Sequence, residues 1–499
     1  MNVVSSLEKH FASFAVNVIG QDQSFDTPYG KKKMLYADWT ASGRCYGPIE
    51  ECLKKQILPF VGNTHTSTTI TGSLMSSAYQ EAKSIIKTHV HACQDDVLVF
   101  CGSGTTHAVN KLQRILGLRL PERIADYRKK NEKSPEIDEA RRPVVFISHM
   151  EHHSNQTSWL ETIATVEVVA PDASGNMDLA ALELLFEKYK KRRYKIVAIT
   201  ACSNVTGVTT PVNEIAKVIH SYHGYCFVDF ACSAPYVQID MHPKETGAEL
   251  DAIYFSPHKF LGGPGTPGVL IFNKKLYRNE VPDQPGGGTL VYSNPWKEHT
   301  YVVDIEQRED GGTPPFLGAI KAAMCVRLKE KMGIKNMQVR EKEMLAFIFY
   351  HFSLLKNVRV FEADQINRLG VISFIVEQCH YLLFVKLLND RFGIQARGGC
   401  SCAGTYGHKL LHLSRETSAD ILRAITAGDL SCKPGWVRIS IHPVMSDDSI
   451  KALMHGIRET ANNFSDWGQH YHYDKVSGEY VFKHDQINES GRIKDWFTI

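Results

Sequence analysis

The chain has 499 residues, 43% of them hydrophobic and 22% charged, with 23 Phe, 20 Tyr and 6 Trp. Such a chain can bury enough apolar surface to offset its ordering entropy, which excludes disorder as its main state. Lys+Arg (57) and Asp+Glu (54) leave a charge of only +3, too balanced for nucleic acid or an anionic membrane to be the main partner.

No apolar run reaches about 18 residues, so no transmembrane helix is expected. Twelve cysteines without a C-x-x-C pair read as reduced thiols of a cytoplasmic protein rather than a disulfide framework. Leu7, Phe11, Phe14 and Val18 fall on one face of an amphipathic helix, so residues 1–35 are expected to form an N-terminal docking segment.

From about 95 to 275, β-rich runs alternate with helical patterns. The runs are Val97–Cys101, Val144–Ser148, Thr165–Ala170, Lys195–Thr200, Tyr225–Phe230, Ala252–Phe255 and Gly268–Phe272. Several are apolar throughout, as in strands of a mostly parallel sheet covered on both faces. Asp178 is placed to cap a helix running to about Arg192, and a second helix spans about Val212–Tyr222 and stops at Gly224. Tyr127–Arg142 is nearly all polar and reads as a solvated insertion. The Gly/Pro-rich stretch Pro282–Pro315 is long enough to be a functional loop. The expected architecture is an α/β domain over 36–316, a smaller α+β domain over 317–462, and an aromatic-rich extension over 463–499 that packs on the body.

The chemistry concentrates in three places. In Phe255–Val269 (FSPHKFLGGPGTPGV), Lys259 lies between the hydroxyl and imidazole of Ser256 and His258 and a glycine-rich turn. This suits a Schiff base to a phosphate-bearing aldehyde cofactor, although a tight surface turn fits the same residues. Asp229 ends the run YCFVD, where a carboxylate can keep a pyridine nitrogen protonated or simply cap a turn. Cys101–Thr106 (CGSGTT) follows a strand and precedes a helix, a phosphate cradle without the Gly-Lys-Ser/Thr of a Walker loop.

These fall into an ordered series: Gly104-Thr105-Thr106, Glu151-His152-His153-Ser154-Asn155, Ser203-Asn204-Val205-Thr206-Gly207, Asp229, Ser256-x-His258-Lys259 and Arg397-x-x-x-x-Cys402-Ala403. The series spans roughly 35–455 and resembles the class V, fold-type I pyridoxal-phosphate enzymes, in particular cysteine desulfurases and selenocysteine lyases. The resemblance implies a homodimer that takes sulfur from L-cysteine, or selenium from selenocysteine. Lys259 would hold pyridoxal 5'-phosphate and move the substrate's α-proton. Asp229 would pair with the pyridine nitrogen, His152 would stack on the ring, and Asn204 would bond its phenolic oxygen. Gly104, Thr105, Thr106, Ser256 and His258 would cradle the phosphate. Thr313, in Gly312-Thr313-Pro314, would reach the neighbouring subunit's phosphate, with Gly286-Gly287-Gly288 as the interface loop. Arg397 would grip the substrate carboxylate with Arg438 nearby, and Cys402 would take the sulfur as a persulfide and release alanine to leave, passing the sulfur to an acceptor protein. No metal ligand set is expected.

The chain departs from the pattern in Cys232, where the family has Gln, in His107, where it often has Glu, and in Cys400 beside Cys402. Two other readings share these residues: a class V aminotransferase or epimerase-like enzyme acting on another amino acid, and a non-catalytic scaffold that binds the same cofactor.

Overall fold

Seven short runs rich in Val, Ile and Phe become the strands of one sheet in the computed structural model, which describes residues 6–124, 141–475, 477–484 and 493–498. The 127–142 insertion lies outside these apart from its last two residues. The chain divides into two units, Ala41–Gln338 with Gln365–Leu369, and Met1–Thr40 with Val339–Asp364 and Gly370–Ile499.

The first unit holds β1 (Asp96–Cys101), β2 (Val144–Ser148), β3 (Thr165–Val169), β4 (Lys195–Thr200), β5 (Tyr225–Asp229), β6 (Ala252–Phe255) and β7 (Gly268–Asn273). Their order in the sheet is β1-β7-β6-β5-β4-β2-β3. Strands β1, β2, β4 and β6 are buried at every position, which is why their sequences lack alternation. Pairing is parallel from β6 through β3. Only β7 runs antiparallel to its neighbours β1 and β6, so β1 points the same way as the parallel set. The carboxyl ends of β1, β2, β4, β5 and β6 therefore share one edge, where open α/β sheets place their ligands.

Helices α1 (Ile70–His89), α2 (Thr105–Ile115), α3 (His153–Leu160) and α4 (Phe316–Met332) belong to this unit. One face of α2, with Ala108, Val109, Leu112 and Ile115, joins the core formed by Val99, Phe227, Tyr254 and Leu270. Asp178 caps its helix as expected, accepting from Ala180 and Ala181 N–H, but that helix ends at Lys188, because Tyr189 leaves helical geometry and a turn closes from Arg192 N–H to its carbonyl. The Pro282–Pro315 stretch contains a short exposed hairpin (Leu290–Ser293, His299–Tyr301) and a one-turn helix, elements too brief to leave a period in the sequence.

The second unit carries a four-stranded antiparallel sheet of β8 (Val358–Val360), β9 (Val371–Val376), β10 (Arg397–Gly399) and β11 (Trp436–Ser440), in the order β8-β9-β11-β10. Helices α5 (Tyr381–Phe392) and α6 (Asp447–Gly468) pack on each other. In the N-terminal helix Ser6–Ala15, Phe11 and Phe14 are buried, and Glu8 Oε1 accepts from the first N–H of α6 at 2.8 Å. The aromatic stretch after α6 forms a hairpin, Tyr471–Asp474 with Glu479–Phe482, anchored by the Tyr471 hydroxyl donating to Asp390 Oδ2 at 2.9 Å. Trp496 and Phe497 are exposed. Among the described residues no helix is long and apolar enough to cross a membrane.

One buried cation ties the turn after β5 to two helices. Lys329 of α4 donates to Ala234 O (2.7 Å), Val237 O (2.5 Å) and His89 Nε2 (3.1 Å). His89 Nδ1 lies 2.9 Å from Glu330. Burial, then the Lys329 charge, holds the His89 ring down at about 4, so it stays neutral, with Nδ1 donating and Nε2 accepting. Burial also pulls Lys329 down to about 7. A lysine whose folded pKa lies below its unfolded value binds fewer protons when folded, so stability should rise from about pH 7 towards about pH 10.5. We expect urea midpoints of the wild type to gain on those of Lys329→Met across that window, with a slope of up to about 1.4 kcal/mol per pH unit. A constant difference would show that Lys329 keeps its proton throughout.

Candidate active site

At the carboxyl edge of the first sheet, Asp229 ends β5 between Thr200 of β4 and Tyr254 of β6. It is buried and, among the described residues, Oδ1 accepts from Ala231 N–H at 2.8 Å. Burial raises this carboxyl to about 6, against the pull of Ala231 N–H and of the nearby Lys259 charge. Lys259 itself ends a 3-10 turn, Pro257–Lys259, directly after β6. Its charge and, more strongly, burial push His258 down.

The start of α2 faces the same turn. Thr105 N–H donates to Ser256 Oγ at 2.9 Å, and the two hydroxyls lie 2.6 Å apart. His258 Nδ1 donates to Ser103 O at 3.0 Å, a carbonyl being able only to accept. The approach is close enough to require glycine: a Cβ on Gly268 would lie 2.4 Å from Gly104 O, and one on Gly43 would lie 1.9 Å from Phe260 O. Thr106 Oγ1 meets Ser154 Oγ at 2.7 Å, and His152 caps α3 by accepting from Ser154 N–H at Nδ1 (3.1 Å). The cap fixes the imidazole's orientation.

Beneath His152 lies a buried network. Glu151 accepts from Ser148 Oγ (2.5 Å), Thr200 N–H (3.0 Å) and Asn155 Nδ2 (2.7 Å), while Tyr254 and Trp159 donate to Asn155 Oδ1. Burial lifts the Glu151 carboxyl to about 7. Asn204, also buried, sits in a loop closed by Gly207 N–H to Ser203 O (2.9 Å). Cys232, in place of the expected Gln, is buried and points its thiol at Ser203 O. Residues 365–369 brace this loop: Leu369 N–H donates to Gly207 O (2.8 Å), and the Arg368 guanidinium donates to Thr206 O.

The second unit presents a separate cluster. Arg397 and Arg438 face each other across β10 and β11, an unfavourable like-charge register. Asp38 relieves it: Oδ2 accepts from Arg397 Nε and Oδ1 from Arg438 Nη2, both at 2.9 Å. Arg438 is buried, whereas the Arg397 side chain is 50% exposed, so Arg397 is the one able to meet a ligand. Beyond β10, Ala403 N–H closes a turn on Cys400 O at 3.0 Å. Its central residues, Ser401 and Cys402, both have positive φ (52° and 56°), the type I′ pattern that non-glycine residues rarely adopt. Cys402 is exposed and Cys400 half-buried.

Lys259, Asp229, His152, Asn204, Gly104, Thr105, Thr106, Ser256 and His258 thus all lie in the first unit, at or beside one sheet edge. Arg397, Arg438 and Cys402 lie in the second. Thr313 is exposed in the first unit, beside Gly312, whose carbonyl bonds the His65 ring at 2.9 Å and whose N–H donates to Gly287 O. Sequence reasoning missed Asp38, the load carried by Glu151, and the 365–369 brace. Asp38 stands in YADWT with no flanking pattern to mark it.

The first cluster fits pyridoxal phosphate. Asp229 is a buried carboxylate suited to a cationic ring nitrogen. Hydroxyls and a helix start gather at Ser256, Thr105 and Thr106, as a phosphate requires. Comparison with known proteins agrees. Residues 133–453 match the Aminotransferase class-V family. A probable cysteine desulfurase of Halalkalibacterium halodurans is 29% identical over 379 residues, covering 74% of this chain and 84% of that protein. Another, from Staphylococcus aureus, is 26% identical over 396 residues, covering 78% and 88%. Among solved structures, the cysteine desulfurase CsdA of Escherichia coli aligns with a TM-score of 0.68 at 20% identity over 91% of this chain and 98% of that one. The apo cysteine desulfurase of Thermococcus onnurineus aligns with 0.67 at 22% identity over 86% and 95%. At those identities the structures speak to the fold alone.

Two substitutions test this geometry. Gly268→Ala should push the Gly104 backbone off the Lys259 turn and weaken pyridoxal-phosphate binding by about 1–3 kcal/mol, read from the visible absorbance of protein titrated with the cofactor. Asp38→Ala should cost about 3 kcal/mol of stability by removing the carboxylate between two guanidinium groups, read from the urea midpoint. An unchanged midpoint would mean that other contacts satisfy Arg438.

Proposed function

The chain belongs to the aminotransferase class-V family of pyridoxal-phosphate enzymes, and from that premise we propose that it is a cysteine desulfurase, moving sulfur from L-cysteine to Cys402 and releasing alanine. The observation that carries the sulfur step is Cys402 itself: an exposed thiol at the tip of a tight turn, five residues after the exposed Arg397. The names of the curated relatives support the same substrate.

Bound pyridoxal phosphate supplies an electron-withdrawing ring that acidifies the α-carbon of an attached amino acid. The chain's own groups do the rest. Asp229 would keep a positive charge at the ring nitrogen favourable, and His152, fixed by its cap on α3, would pack against the ring. Ser256, Thr105, Thr106 and His258 hold the phosphate. Arg397 binds the substrate carboxylate, steered by Asp38. Lys259 takes the α-proton, and the α-carbon is given a proton again before alanine leaves. The Cys402 thiolate, the reactive form of the side chain, attacks the substrate sulfur. A sulfur–sulfur bond forms, and the carbon–sulfur bond breaks with its electron pair left on carbon, which takes up a proton. The products are alanine and a persulfide on Cys402, ready for a sulfur-acceptor protein.

We further propose a homodimer in which Thr313 serves the neighbouring subunit's site, as the family pattern implies. We also assign the protein to a reducing compartment such as the cytoplasm, an assignment that its twelve thiols support.

Purified protein given L-cysteine and a reductant should yield sulfide and alanine in equal amounts. Lys259→Ala should lose both products, while Cys402→Ser should lose sulfide by about 100-fold or more, a barrier increase near 2.7 kcal/mol, yet keep the cofactor's absorbance. Turnover that needs an α-keto acid and ignores Cys402→Ser would favour the aminotransferase reading instead.

A further inference from the structure

The opposite end of β1 carries a second cluster that the proposed reaction does not use. Cys93 Sγ, a carboxylate oxygen of Asp96 and a ring nitrogen of His242 all lie within 4.8 Å of one another. Asp96 begins β1 and is buried, His242 is partly exposed, and Cys93 is exposed. Cys93 lies in the turn before β1 and Asp96 at its start, and the fold brings His242 to them from 146 residues away.

Their surroundings hold them in place. Asp96 Oδ2 accepts from Cys93 N–H (2.8 Å) and lies 2.6 Å from His242 Nε2. Asn273 Nδ2, at the end of β7, donates to Asp96 Oδ1 at 3.3 Å. His242 N–H donates to Asp240 Oδ1 (3.0 Å), which also faces His91 Nδ1 at 3.3 Å. A histidine–aspartate pair alone is an ordinary structural contact. Here a thiol completes three donors of three kinds, while Asp95 beside them is paired with Lys274 at 2.6 Å.

We propose that Cys93, Asp96 and His242 bind a zinc ion, with water in a fourth position on the exposed side. Sulfur and imidazole donors favour zinc over magnesium or calcium, which take oxygen ligands. Bond lengths of about 2.0–2.3 Å place tetrahedral ligand atoms roughly 3.3–3.7 Å apart, so the His242–Asp96 pair, now 2.6 Å apart, opens by about 0.7 Å as its shared proton leaves, and the exposed Cys93 side chain closes in by up to about 1 Å. On binding, the thiol gives up its proton and His242 presents an unprotonated nitrogen, so uptake releases protons and weakens as pH falls. The ion would clamp the start of β1 to the 240–242 segment, at the end of β1 away from the Gly104 loop.

The test uses the pyridoxal-phosphate-loaded protein, stripped with a chelator and then titrated with Zn2+, or with Co2+ as a spectroscopic probe. Cys402→Ser serves as a reference because it removes an exposed thiol elsewhere. We expect one equivalent of zinc retained through gel filtration and a thiolate-to-cobalt absorption band that survives in Cys402→Ser. Cys93→Ser should lose the band. Cys93→Ser and His242→Gln should each weaken zinc binding by at least about tenfold, the loss that even outer-sphere changes bring. Both substituted positions are solvent-accessible, and unchanged cofactor absorbance would verify the fold. Zinc held at wild-type affinity by either variant, or no zinc retained by the wild type, overturns the proposal. None of these readouts depends on turnover.

Discussion

A carboxylate buried in the middle of a seven-stranded sheet is costly unless a positive charge meets it, and Asp229 is such a carboxylate. The register places it between Thr200 and Tyr254, with Glu151 buried close by, its carboxyl raised chiefly by burial and further by the Asp229 charge. The Lys259 charge reaches Asp229 from the turn after β6, and a protonated ring nitrogen would supply the counter-charge more directly. Much of the surrounding structure serves that demand. The parallel strands bring their carboxyl ends to one edge, β7 returns between β1 and β6, and Gly268 lets the Gly104 loop approach the lysine turn.

The strands and their order of chemistry were readable in the sequence because burial on both faces leaves unmistakable apolar runs. Val144–Ser148, Lys195–Thr200 and Ala252–Phe255 match their strands residue for residue. The lysine turn, Asp229 and the Gly104 loop were readable for a related reason, since each follows directly on such a run. Asp38 was not, because its role depends on a register formed between β10 and β11, hundreds of residues later in the chain. The 365–369 brace was hidden likewise: Leu369 holds Gly207 through backbone atoms alone, and Arg368 reaches only the carbonyl of Thr206, an acceptor that every residue offers. In the Cys93–Asp96–His242 cluster only the first two residues are close in sequence, and His242 lies 146 residues beyond Asp96, so no short motif marks the set.

The two units solve different electrostatic problems. In the first, one buried carboxylate, Asp229, calls for positive charge from Lys259 and from a ligand's ring nitrogen. In the second, two arginines are forced opposite each other and Asp38 offsets one of them, leaving a net positive charge on the more exposed partner. That residual charge suits the carboxylate common to every α-amino acid, so it carries no selectivity for one side chain. Selectivity must arise elsewhere.

The turn at 400–403 has a consequence of its own. A thiol at the tip of a type I′ turn is presented to solvent, so it cannot select its reaction partners by enclosure. Peroxide, disulfides and stray electrophiles meet the same surface as a legitimate acceptor. Were Cys402 to carry sulfur as proposed, fidelity would be a matter of timing, with sulfur handed on faster than it is lost or oxidised. For the proposed transfer from Cys402, the dwell time of an acceptor on the surrounding surface would govern yield more than the speed of carbon–sulfur cleavage.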